Sequence, residues 1–203
     1  MPPNVLPQKL PSGIADPLGR AGAKLGVTPN MVSVFGFVGN IIAAWLITQQ
    51  ELLWAGVVFI IFSLLDLVDG AIARATGQAT AYGAVLDSIL DRASEAVVLV
   101  GCAWYFGDRG EWWQVTLAYL ALFGSIAVSY MRARAELAGM AMRDGLFRRQ
   151  ERVAVLAIGL LFNGLTVVIC VIAVFANLTA FQRFVILLRG LRARDVAGPL
   201  SDA

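Results

Sequence analysis

Long stretches of this chain carry no ionisable side chain, and that absence constrains its fold more than any other feature. Leu25–Gln50 holds neither acid nor base, and after Glu51 the run Leu52–Leu65 is free again. Ala96–Gly107, Trp112–Met131 and Val153–Gln182 follow the same pattern. A helix needs about 20 apolar residues to cross about 30 Å of hydrocarbon. Backbone groups in lipid must be satisfied internally, so such runs are expected to be helices. Alternation with period two is not evident, which disfavours a membrane barrel.

The expected architecture is therefore an all-α integral membrane domain occupying residues 1–203. Spans are expected near 31–50, 52–75, 80–106, 112–136, 150–163 and 165–190. Val153–Leu188 as one helix would be about 54 Å long, too long for a simple span. Asn163-Gly164 is the preferred break and Ala176-Asn177 its rival. No signal peptide is apparent, because the first twenty residues are Pro-rich and lack an apolar core. Ile14, Leu18, Ala21 and Leu25 recur at helical spacing among Asp16, Arg20 and Lys24, which predicts an amphipathic surface helix over 12–26. Thr28-Pro29-Asn30 then reads as an N-cap and a proline in the first turn.

Charge placement supports the count. With the N-terminus inside, six spans put fifteen of the sixteen basic residues at or near the cytoplasmic face, leaving Arg109 outside. This implies a multi-pass protein of the cell membrane with both termini and the site on the cytoplasmic side. Trp104, Tyr105, Trp112 and Trp113 flank the second external loop as an aromatic belt would. The composition agrees: 59% of residues are hydrophobic and 15% charged, against about 25% charged in soluble domains. A net charge of +2 offers nothing to a nucleic acid, and with no histidine at all, His-based triads and metal sites are excluded. Cys102 and Cys170 lie in apolar runs and read as packed thiols.

Against that background four carboxylates stand out, because acids within spans are costly and usually functional. Asp66 and Asp69 are three residues apart, and Asp87 and Asp91 are four apart, so each pair shares a helical face. The short link around Thr76–Tyr82 makes the two helices antiparallel neighbours. Four clustered carboxylates would repel and take up protons, a conflict that hard divalent cations remove. Gly70, Ala73 and Gly83 leave the helix surfaces bare beside the acids, for close packing or for a ligand. Arg74 sits one turn from Gly70, suited to a phosphate oxygen or to a helix C-terminus.

These residues spell D-x2-D-G-x2-A-R-x8-G-x3-D-x3-D, and the chain thereby resembles the CDP-alcohol phosphotransferase family. A chance match of its eight fixed positions at one register is on the order of 10⁻⁹ at residue frequencies near 7%. The resemblance implies transfer of a phosphatidyl-type group from a CDP-linked lipid (CDP-diacylglycerol or CDP-archaeol) to an alcohol, with release of CMP. It implies that Asp66, Asp69 and Asp87 ligate two Mg²⁺ or Mn²⁺ ions, with Asp91 ligating or acting as general base. It further implies that Asp69, Gly70, Ala73, Arg74 and Gly83 hold the CDP moiety, and it suggests a homodimer.

The acceptor side rests on Ser129-Tyr130-Met131-Arg132-Ala133-Arg134-Ala135-Glu136 and on Glu151-Arg152. From charge alone, these arginines make either a phosphate pocket or ordinary cytoplasmic basic residues. The run is similar to that of the phosphatidylinositol phosphate synthases and their archaeal counterparts, which use inositol 1-phosphate. That likeness implies that Ser129, Arg132, Arg134 and Arg152 bind the acceptor phosphate. Arg132 departs from the lysine common there, Gln150 from a proline, and Ala81 from an arginine. Glycerol 3-phosphate is the alternative acceptor. A cation or proton transporter is the alternative of a different class, disfavoured because all four acids lie near one face. Glu95, one turn past Asp91, could support the acids, pair with Arg92 or face a partner subunit.

Overall fold

A computed structural model describes Pro17 and residues 26–76, 80–142 and 145–197. The described residues form six helices: α1 (Pro29–Thr48), α2 (Leu52–Thr76), α3 (Ala81–Asp108), α4 (Trp112–Leu137), α5 (Arg149–Leu161) and α6 (Leu165–Ala197). The expected surface helix over 12–26 lies outside the described residues, apart from Pro17 and Gly26. Among the described residues three helices are long and apolar enough to cross a membrane, namely α1, α4 and residues 165–195 of α6, and Leu52–Leu65 of α2 is a shorter apolar run.

α1 to α5 begin and end within two residues of their expected limits, where the local signals are strong, while α6 runs seven residues past its expected end at 190. Thr28 takes an extended backbone, its hydroxyl accepts the Met31 N–H at 3.3 Å, and Pro29 fills the first turn, where its missing N–H costs nothing. Thr80 caps α3 likewise, accepting the Gly83 N–H at 3.0 Å. The break between α5 and α6 falls at Asn163, whose φ of 54° is one that asparagine tolerates better than most residues. At the rival Asn177 the helix runs on. Its side-chain amide donates to Ala173 O at 2.7 Å and to Leu120 O at 2.8 Å, tying α6 to itself and to α4. Gly124 makes that approach possible, because a Cβ there would lie 2.8 Å from the Asn177 amide nitrogen.

The helices close into a ring. α1 packs on α2 and α3, α3 on α4, α4 on α6, α6 on α5, and α5 on α2. One half of the ring's length holds the main apolar core, including Ile47, Phe59, Leu99, Phe106, Leu160 and Ile169. Tyr105 differs from its expected place in an aromatic belt. It is buried edge-on against Phe106 with the Arg109 guanidinium over its ring, whereas Trp104, Trp112 and Trp113 are exposed. Arg109, outside the spans, is held above its ordinary pKa by its hydrogen bond to Glu111. Both cysteines are free thiols.

α5 is only 13 residues long, about 20 Å at 1.5 Å per residue. The chain before it explains why, because it folds inward instead of staying at the helix ends. Phe147 is buried, donates its N–H to Thr179 Oγ1 at 3.1 Å, and packs its ring against Phe175. Gly145 lies so close to α6 that a Cβ would meet the Arg183 guanidinium at 3.0 Å. Arg183 is itself buried and donates to Val128 O at 2.8 Å. In that stretch the Phe147 N–H, the Phe147 C=O and the Arg148 N–H are all bonded to protein, as enclosed irregular backbone requires. α5 therefore begins well inside the bundle.

Candidate active site

The site is built where the first turns of α5 meet the first half of α3. Arg148, the residue preceding α5, can only donate from its side chain. The Glu151 carboxylate supplies the missing acceptor by taking the Arg148 backbone N–H, which fixes the helix start. Arg149 and Arg152 then project three residues apart from one helical face toward α3, whose Asp91 and Glu95 are spaced four apart. The two pairs meet. Arg149 Nη1 lies 2.8 Å from Asp91 Oδ1, both groups being partly exposed. Arg152 grips Glu95 through both arms, Nε to Oε1 at 2.5 Å and Nη2 to Oε2 at 2.7 Å, and its Nη1 donates to Phe147 O.

The two ion pairs differ in surroundings. The Arg152 side chain is 2% exposed and that of Glu95 10%, while those of Arg149 and Asp91 are 29% and 24% exposed. Beside them a cavity inside the ring is lined by Asn40, Ser63 and Ser94 together with Glu95, Arg149 and Arg152. Asn40 is buried, its amide donates to Gly36 O at 2.8 Å, and its Oδ1 has no protein partner among the described residues.

The remaining expected residues fall as follows. Asp66, Asp69, Gly70 and Arg74 lie on the helical backbone of α2, with their side chains outside the described residues; Ala73 is partly exposed on the same helix. Asp87 is partly exposed on α3, one turn before Asp91. Gly83 faces α1, where a Cβ would meet Asn30 Oδ1 at 3.0 Å, so its bareness serves a close helix approach. Ser129 is partly exposed near the end of α4 and Arg134 is exposed. Arg132 is exposed and bound to Glu136 at 2.8 Å. Glu95 thus pairs with Arg152, while Arg92 turns back to Ser88 on its own helix.

Sequence reasoning did not anticipate the Arg149–Asp91 contact or the burial of Arg183. The three-residue spacing of Arg149 and Arg152 opposite the four-residue spacing of Asp91 and Glu95 was the signal for the first. For the second, an arginine six residues before the next basic residue in an apolar helix was the signal.

The arrangement can place a carboxylate base, a neutralising guanidinium and an acid-rich helix end around an anionic ligand. A model of the CDP-alcohol phosphatidyltransferase family matches residues 26–189. The archaetidylinositol phosphate synthase of Pyrococcus horikoshii is 37% identical over 179 residues, covering 86% of this chain and 93% of that one. The phosphatidylinositol phosphate synthase of Mycobacteroides abscessus is 34% identical over 200 residues, covering 94% and 90%. Crystal structures of the Mycobacterium tuberculosis phosphatidylinositol phosphate synthase superpose closely. With CDP-DAG bound, the TM-score is 0.80 at 30% identity over 86% of this chain and 94% of that one. In complex with manganese and citrate it is 0.78, also at 30% identity, over 86% and 89%.

Proposed function

The chain belongs to the CDP-alcohol phosphatidyltransferase family and is a transferase of phospholipid biosynthesis, and on that premise we propose that it joins a CDP-linked lipid to inositol 1-phosphate and releases CMP. The observation that carries this reading is the Arg149–Asp91 contact, which puts a carboxylate base and a cation for an anionic acceptor at one point. The inositol acceptor draws its support from the names of the Pyrococcus and Mycobacteroides relatives.

The donor set fits a hard divalent cation. It consists of carboxylate oxygens in a chain without histidine, and Asp91 already draws a full positive charge to 2.8 Å. Asp66, Asp69, Asp87 and Asp91 would hold two Mg²⁺ or Mn²⁺ ions, which when bound neutralise the diphosphate and favour departure of CMP. Asp69, Gly70, Ala73, Arg74 and Gly83 hold the CDP moiety. Asp91 takes the proton of the acceptor hydroxyl as general base. The acceptor oxygen bonds to the lipid-bearing phosphorus as the bond to CMP breaks, with no covalent enzyme intermediate. Ser129, Arg132 and Arg134 at the end of α4, together with Arg152 of α5, bind the acceptor phosphate.

The six helices are read as six membrane segments, with the dipped chain before α5 making up for its length. An amphipathic helix over 12–26 lies on the inner leaflet, both termini and the site are cytoplasmic, and two copies form a homodimer.

The test is CMP release by purified protein given a CDP-lipid, Mg²⁺ or Mn²⁺, and in turn inositol 1-phosphate, glycerol 3-phosphate, inositol or serine. Release with inositol 1-phosphate is expected. Release with glycerol 3-phosphate alone would replace the acceptor, and no release with any acceptor would remove the reading.

A further inference from the structure

α6 runs on past its apolar stretch, and the overhang meets the end of α4. The helix is 33 residues long, about 50 Å at 1.5 Å per residue, against about 30 Å of hydrocarbon. Leu187, Gly190, Leu191 and Arg194 follow one another at helical spacing and share one face. That face is covered. Leu187 is buried with Ala135 and Met142, and Leu191 packs beside Met140. Gly190 admits Met140 so closely that a Cβ would lie 2.7 Å from its Sδ. Arg189 and Arg192, off that face, are exposed.

Arg194 closes α4 at the far end of the face. α4 stops in a left-handed turn at Gly139, whose φ is 66°. There the Gly139 N–H donates to Glu136 O at 3.0 Å and the Met140 N–H to Ala135 O at 2.8 Å. The Ala138 and Gly139 carbonyls lie beyond the reach of that turn. Arg194 donates to both, Nη1 to Ala138 O and Nη2 to Gly139 O at 3.0 Å. A cation at this point also answers the negative end of the helix dipole.

We infer that Arg194 is a positioning residue for the acceptor side, and that the overhang of α6 is the brace that holds it against α4. The inference rests on the reading that Ser129, Arg132 and Arg134 bind the acceptor phosphate. Helix ends fray unless they are tied. An arginine on a fraying turn holds a phosphate in no fixed geometry, and ligand-binding groups need their supports locked. The Arg134 carbonyl accepts the Ala138 N–H at 3.1 Å, so the turn that Arg194 clamps is the turn that carries Arg134. The guanidinium fork suits the task, because its planar donors reach two carbonyls at once. A cation that touches no substrate thereby sets where two others are held.

The experiment measures initial rates of CMP release by the full chain, varying acceptor and CDP-lipid separately. Arg194→Ala is expected to raise the acceptor KM about threefold to tenfold, the range for residues that act on a ligand without touching it. The KM for CDP-lipid should stay within about twofold, a split that general loosening of the bundle would not produce. Arg194→Lys can still reach one carbonyl and should fall between wild type and Arg194→Ala. Arg192→Ala removes the same charge from the same helix end, off the face that meets α4, and should leave both KM values at wild type. An acceptor KM unchanged in Arg194→Ala, or a rise matched by Arg192→Ala or by the CDP-lipid KM, would overturn the inference while leaving the function standing. Should Arg194→Ala fail to fold, Arg194→Lys decides by the same comparison. A wild-type protein that turns over only unphosphorylated alcohols would instead overturn the function and this inference with it.

Discussion

The two halves of α3 are built on different principles. From Ser94 onward the helix buries Val98, Leu99, Gly101, Cys102, Ala103, Tyr105 and Phe106 against its neighbours, while from Ala81 to Ala93 it buries nothing. One half is close-packed apolar surface. The other is held to α5 by charge and leaves carboxylates partly open. Glu95 and Arg152 sit at the boundary, nearly sealed, where apolar packing gives way to the site. The contrast shows how one continuous helix can be both anchor and wall of the proposed site: burial fixes its far half, so its near half can stay partly exposed.

The largest expected effect comes from the open half. Asp91→Asn removes the proposed base while keeping the side chain's size, and positioned general bases contribute about 10²–10⁴-fold. Turnover is expected to fall by about 10³-fold, with CDP-lipid binding, measured directly by equilibrium titration, largely intact. A variant that keeps wild-type turnover would move the chemistry off this half of α3.

Next comes the boundary. Removing one partner of a buried ion pair strands the other and costs about 3–5 kcal/mol. Glu95→Ala and Arg152→Ala are each expected to destabilise the protein by about that much, read from unfolding in detergent. Combining them should cost less than the sum, because neither charge is then left unpaired. Full additivity would show that the pair carries no coupling, and the boundary would then be drawn by apolar packing alone.

The close-packed half offers a smaller, purely structural effect. A Cβ on Gly101 would lie 2.9 Å from Ala44 O and 3.1 Å from Ala44 Cα, so the obstacle is backbone and cannot swing aside. Gly101→Ala is expected to cost about 1–3 kcal/mol by overpacking, with both KM values unchanged in the folded fraction. A changed acceptor KM would mean that the packed half sets the geometry of the open half.

How much of this was legible in the sequence follows the same division. Helix limits were readable because charge-free runs and caps such as Thr28-Pro29 act locally, and the Asn163 break between α5 and α6 showed itself in residue type. The acids were readable because four carboxylates in so apolar a chain have few neighbours to hide among. What could not be read was partnership. Glu95 had Arg92 one turn back on the register and Arg152 far along the chain, and only the inward fold of Gly145–Phe147 brings the second within reach. Nor could the sequence separate Arg149 from Arg152, since burial depends on where α5 begins in the bundle.

The smallest effect tests whether exposed charge at the end of α4 belongs to the open half at all. Arg132 and Glu136 form an i, i+4 pair whose side chains are 58% and 54% exposed. Such pairs contribute about 0.3–0.5 kcal/mol at most, and salt screens them further. Arg132→Ala should therefore leave the thermal midpoint nearly unchanged. If Arg132 serves only as positive-inside charge, the acceptor KM will be unchanged too, and Glu136→Gln will be silent in both measurements. If it faces the acceptor phosphate, Glu136 competes with that phosphate for the guanidinium. Arg132→Ala then raises the acceptor KM, and Glu136→Gln lowers it by freeing the arginine. The expected outcome is this opposite pair of shifts, with stability held constant. It would extend the proposed ligand-facing region from α3 and α5 to the end of α4, and matching silence in both variants would confine it to α3 and α5.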